Sequence, residues 1–167
     1  GTVPVESDGS AYFEVPALRP VFFVALDEND MSVKRMQSFT GVMPGEKVGC
    51  VGCHERRTES AVPPTASALL AMKGGPDKIE KIPGTPEIFH FPRDIQPIFD
   101  KHCVRCHNYE KYAGKLTLSG ERGLSYANSY ANLYDQGQIK NAHAVGNHPP
   151  RALGSSASPV IGKFQGG

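Results

Sequence analysis

All four cysteines of this 167-residue chain lie in two Cys-x-x-Cys-His units, Cys50-Val51-Gly52-Cys53-His54 and Cys103-Val104-Arg105-Cys106-His107. On a helical turn, positions i and i+3 share a face and position i+4 projects beside them. Each unit can therefore offer two thiols to the vinyl groups of one porphyrin and an imidazole to its iron. This is the attachment signature of a c-type haem. Two other chemistries use paired cysteines. A Cys₄ zinc site could draw on both pairs, and a redox dithiol would want a βαβ context that neither motif has. Histidine supplies 6 of 167 residues, so a chance His after both pairs would arise in roughly one such chain in a thousand. The spacing predicts two covalently attached haem c groups. Cys50, Cys53, Cys103 and Cys106 would form the thioethers, and His54 and His107 would be the proximal iron ligands.

The opposite axial position decides what such a haem does. Two strong protein ligands close the iron, whereas an open sixth position admits small molecules. Met31, Met36, Met43 and Met72 all precede the second motif, and only Met72 follows the first. That order disfavours a His/Met pair at either haem. Of the remaining histidines, His102 abuts Cys103 and reads as a packing or propionate-binding residue. His90 sits between Phe89 and Phe91, an apolar setting suited to a haem edge. His143 and His148 lie in a polar stretch that could fold over a haem face or remain a solvated loop. His90, His143 and His148 are the distal candidates, and bis-histidine ligation of at least one haem is the working expectation.

The rest of the chain reads as a loop-rich α+β fold. Glycine and proline number 18 and 14 and there is no tryptophan, so side chains alone make a thin core and two porphyrins would help fill it. Val3, Val5, Tyr12, Phe13 and Val15 flank an Asp8-Gly9 turn and predict a hairpin over 2–15. The run from Val21 to Leu26 predicts a buried strand. These make a small β unit over 1–40, read as the end of a larger upstream domain. A first haem-c segment follows over 41–88, loop-rich apart from helical character between Ala66 and Met72. A second haem-c domain spans 89–167, with Asp94 as N-cap and Pro97 in the first turn of a helix carrying Ile95, Ile98, Phe99, Cys103 and Cys106 on one face. A short helix is expected around Ser125 to Leu133, and the polar stretch from Gly137 onward shows no capping element. A net charge of +1 gives no reason to propose nucleic acid or a membrane surface as partner, and no apolar run is long enough to span a membrane. Thioether attachment takes place outside the cytoplasmic membrane, so a secreted, periplasmic or extracellular location is expected. The opening on Gly1 suggests a processed piece of a longer polypeptide, incomplete at its C-terminus.

Several stretches resemble the haem-bearing part of the hydrazine synthase alpha subunit and its relatives. They are Gly9-Ser10-Ala11-Tyr12-Phe13-Glu14-Val15-Pro16 and Pro44-Gly45-Glu46 leading to the first motif and Glu55. Phe91-Pro92-Arg93-Asp94-Ile95-Gln96-Pro97-Ile98 leads to the second, followed by Leu116-Thr117-Leu118-Ser119-Gly120-Glu121 and Gly154-Ser155-Ser156. The resemblance implies an upstream β-propeller and a catalytic first haem, whose motif histidine is diverted to zinc while a tyrosine four residues later binds iron. That position here is Thr58, a departure that favours ordinary ligation by His54. Two functions follow. One is electron transfer through two haems to redox partner proteins or neighbouring subunits. The other is enzymatic, with an open first haem acting on a small nitrogen species.

Overall fold

The computed structural model describes residues 1–52, 58, 69–141 and 148–165. They form a small α+β protein with one two-stranded sheet and a few short helices. Its contacts divide into two compact units.

The first unit comprises residues 1–23, 36–87 and 145–147 and is held by single bridges and turns. The Asp8-Gly9 turn forms, with the Gly9 N–H bonded to the Glu6 carbonyl and φ +81° at Gly9. The expected hairpin over 2–15 does not. Thr2 exchanges both backbone hydrogen bonds with Glu80, and Phe13 bridges Asp77 instead. The Asp8 carboxylate accepts the Leu70 N–H, which, with bonds from Ser10, holds its pKa below the ordinary value. Leu70–Lys73 is a 3₁₀ turn where helical character was expected between Ala66 and Met72; residues 66–68 lie outside the described residues. No described side chain of this unit is buried, and Leu18, Phe22, Phe39 and Met43 are largely exposed.

The second unit contains the sheet and the longer helices. Strands β1 (Val24–Leu26) and β2 (Ser32–Arg35) pair antiparallel with an irregularity between Ala25 and Leu26. The strand expected to be buried at Val21–Leu26 is thus shorter, and β1 is exposed along its length. The Asp27 carboxylate ends the β1–β2 turn by accepting from Met31 and Asn29, and Arg151 bonds it at 2.6 Å. The Arg151 contact is the main cause of its lowered pKa. Ser32 is buried against the 153–156 loop, where Ser155 and Ser156 bond its backbone and hydroxyl.

Helices α1 (Phe91–Asp94) and α2 (Gln96–His102) follow one another with a break at Ile95. Asp94 is not the N-cap. His90 is, and the Asp94 carboxylate reaches back to accept its N–H at 2.7 Å. The helix therefore starts a turn earlier than the sequence suggested. It breaks because Pro97 has no N–H for the Arg93 carbonyl and its ring crowds that oxygen. Helix α3 (Asn128–Asp135) starts three residues later than expected. It ends in a Schellman motif, with Gln138 N–H to the Leu133 carbonyl, Gly137 N–H to Tyr134, and Gly137 at φ +64°. The stretch beyond Gly137, read as polar and without a capping element, carries a 3₁₀ turn at Ser155–Ala157 and helix α4 (Pro159–Gln165).

The core of this unit is small: Phe99 from α2, Leu133 from α3, and Leu116 and Leu118 from the segment between them, with Phe91, Ile95, Cys103, Val104, Ile139 and Val160 packed around. Cys103 and Val104 belong to the second motif, so that motif is built onto the core.

Candidate functional site

The second motif forms the turn its spacing requires. The Cys103 N–H closes α2 onto the Phe99 carbonyl at 2.8 Å. The Cys103 carbonyl then accepts from Cys106 at 3.0 Å and from His107 at 2.9 Å. The latter is an i+4 to i bond, so Cys103, Cys106 and His107 share one helical turn. Cys106 is exposed and Cys103 half-buried, and both thiols are free. Burial raises the Cys103 thiol above its ordinary pKa, which keeps it protonated near neutrality.

His107 is gripped at both ends by residues 116–118. Its carbonyl accepts the Leu118 N–H at 2.8 Å, and its ring Nδ1 lies 3.3 Å from the Leu116 carbonyl. A carbonyl can only accept, so Nδ1 carries a proton in this contact, and the tautomer it selects is the one whose Nε2 can bind a metal. The loop that brings Leu116 round is tight. The Asn108 side-chain oxygen accepts the Glu110 and Lys111 N–H groups, and its carbonyl accepts that of Tyr112. Tyr112, Gly114 and Lys115 all have positive φ, which is costly for the two non-glycine residues. Beside this loop an open groove of about 470 Å³ is lined by Tyr109, Tyr112, Thr117, Asn128 and Asn132.

Gln96 supports the same segment from below. Buried in α2, it donates to the Leu118 carbonyl and to Asp100, and accepts from Ser129 of α3. The sequence reading missed Gln96, the 116–119 segment and the polar face of α3. The alternation of Leu116 and Leu118 was the available signal for a short extended segment.

The first motif is described only in part. Cys50 is exposed and Gly52 has φ +70°; Cys53 and His54 lie outside the described residues, as does the distal candidate His143. His90 is exposed as the cap of α1, so its flanking phenylalanines do not enclose it. His102 is exposed at the end of α2. His148 is half-buried, with Lys34 donating to its carbonyl, and its Nε2 is shielded from solvent without a hydrogen-bond partner among the described residues. Among the described residues no three His, Cys, Asp or Glu side chains converge to hold a metal ion, and no helix is long and apolar enough to cross a membrane.

Residues 1–55 match the family model described as the hydrazine synthase alpha subunit middle domain. The match covers about a third of the chain and takes in the whole first motif. It supports the resemblance to that family over this region and suggests a haem cofactor. No curated protein and no solved structure matches the chain.

Proposed function

We propose that the chain is a dihaem c-type cytochrome that transfers electrons. The observation that carries this reading is the turn at Cys103–His107, with the His107 Nδ1 committed to the Leu116 carbonyl and its Nε2 left for a metal. The donor set fits haem c, since it offers two free thiols and an imidazole on one turn. A bound haem supplies a one-electron iron couple. Cys103 and Cys106 would hold it covalently, His107 would bind its iron, and Cys50, Cys53 and His54 would do the same for a second group. A Cys₄ zinc site asks its ligands to meet at one point; thioether attachment does not. Large apolar side chains left exposed, among them Leu18, Phe22 and Phe39, suit a chain whose apolar surface is covered by cofactor or partner. Of the two distal candidates among the described residues, His148 is the better placed chemically, because its Nε2 is shielded and meets no described hydrogen-bond partner. Redox proteins or neighbouring subunits would be the partners, and the periplasm or the cell exterior the location.

A second reading is favoured by one observation, the family match across the first motif: a catalytic first haem acting on small nitrogen species. Thr58, standing where a ligating tyrosine would be expected, opposes it. Visible spectra of the mature holoprotein, oxidised, reduced, then reduced under carbon monoxide, separate the two. Sharp reduced α-bands unmoved by carbon monoxide support the carrier. A partial Soret shift supports the open-haem enzyme, and absence of any haem spectrum overturns both.

A further inference from the structure

The orientation of His107 depends on a carbonyl, and that carbonyl is itself held in place. The chain leaves the 3₁₀ turn at Ala113–Lys115 through a short segment, residues 116–118, that is extended at Leu116 (φ −127°, ψ 129°). Successive peptide groups of such a segment point to opposite sides. On one side, the Leu116 carbonyl meets His107 Nδ1 at 3.3 Å and the Leu118 N–H meets the His107 carbonyl at 2.8 Å. On the other, the Lys115 carbonyl accepts from Gln136 Nε2 at 2.9 Å and the Thr117 carbonyl from Asn132 Nδ2 at 3.0 Å. Asn132 and Gln136 are four apart, one turn of α3 and its C-cap, so they meet alternate carbonyls of one stretch of chain.

We infer that Asn132 and Gln136 are positioning residues for the proximal ligand. By fixing the Lys115 and Thr117 carbonyls toward α3, they turn the Leu116 carbonyl toward His107 and set its tautomer and ring plane. The inference rests on the proposal that His107 binds haem iron. The loop would not hold this arrangement unaided, because Tyr112 and Lys115 sit at φ +40° and +56° and can relax if the clamp is released. Outer partners of a metal-binding histidine tune how strongly it donates. Loss of the Nδ1–H bond makes the imidazole a weaker donor and favours ferrous over ferric iron.

The test uses holoprotein carrying Asn132→Asp and Gln136→Glu, singly and together. These keep side-chain size but replace each amide donor with a carboxylate that cannot donate. The double variant is expected to shift the Fe(III)/Fe(II) equilibrium of one haem roughly tenfold toward the reduced form. That is a rise of about 59 mV for a one-electron couple. The proximal Nδ1 proton should exchange faster in NMR spectra of the same sample. In the Asn132→Asp background, Gln136→Arg, which retains a donor for the Lys115 carbonyl, should reverse most of the shift that Gln136→Glu leaves in place. Potential and Nδ1 exchange unchanged in a double variant that still carries both haems overturn the inference. A wild-type protein without haem overturns instead the reading on which it rests. Should the double variant not fold, the two single variants are read by the same measurements, and neither moving the potential or the exchange rate overturns it equally.

Discussion

Gly120→Ala isolates the support beneath the second motif. Gly120 does not have positive φ, so alanine meets no backbone penalty there, and the whole effect comes from space. An added Cβ would stand 2.6 Å from Gln96 Cδ, 2.7 Å from Cγ and 2.8 Å from Nε2. Ordinary contact begins at 3.4 Å, so Gln96 must retreat by about 0.6–0.8 Å, the difference between those distances. Gln96 has little freedom to do so. Its Nε2 donates to Asp100 at 2.7 Å and to the Leu118 carbonyl at 3.0 Å, and its Oε1 accepts from Ser129 at 2.5 Å. Overpacking costs about 1–3 kcal/mol, and losing one buried hydrogen bond adds about 1 kcal/mol. Together they give a destabilisation of about 2–4 kcal/mol, measured by urea unfolding at fixed slope. In a Gln96→Ala background the clash has no partner, and the same substitution should cost under about 0.5 kcal/mol, a coupling readable as a double-mutant cycle. A Gly120→Ala cost that is negligible in the wild type, or undiminished without Gln96, would refute this account.

Leu133→Ala should destabilise by about 2–5 kcal/mol, because Leu133 is 2% exposed at the centre of the α2–α3 core; a loss under about 1 kcal/mol in equilibrium unfolding counts against that core. Asp94 is held at a pKa of about 2, below its ordinary 3.8, first by the Arg93 guanidinium and then by the His90 N–H. A carboxylate lowered on folding stabilises above its unfolded pKa and loses that contribution as pH falls through the folded one. Acid melting of α1 between pH 4 and 2 should therefore be weakened by Asp94→Asn, and an Asp94 titrating by NMR at its ordinary value would contradict the cap. In protein produced with Cys103 as the free thiol, its raised pKa and partial burial predict alkylation whose pH profile lies above that of a model thiol. A Cys103 that reacts as fast as free cysteine at pH 7 sinks that prediction.

What could be read from the residues is what depends on short spacing. The Cys103–His107 turn was legible because a three- and a four-residue interval fix a face of a helix, and the Asp8-Gly9 turn because glycine accepts positive φ. The strands of the expected 2–15 hairpin were misread for the complementary reason. Thr2 and Phe13 have the right residues for strands, but their partners, Glu80 and Asp77, lie more than sixty residues away, and alternation carries no record of which chain segment will pair. Asp94 was misassigned as the N-cap because an aspartate before an apolar helix usually accepts from the following N–H groups. Here it accepts from a residue behind it, and Pro97 moves the break forward. Helix α4 was missed because its sequence, Pro159 to Gln165, is too short to show a period.

The candidate site divides in the same way. Two thiols and an imidazole within five residues are the legible part of the second motif. Nothing within those five residues orients the imidazole. Its ring is set by the Leu116 carbonyl nine residues on, that carbonyl by its neighbours' bonds to Asn132 and Gln136, and the segment's underside by Gln96 through the Leu118 carbonyl. Each link is a backbone carbonyl, which has no residue type and leaves no mark in the sequence, and those of Lys115, Thr117 and Leu118 are answered by amide side chains that taken alone read as ordinary polar residues. A motif of this kind therefore spells out its ligands but not their poise. Substitutions outside it, at Asn132, Gln136 or Gly120, are expected to change the ligand's behaviour while every residue of the signature remains intact.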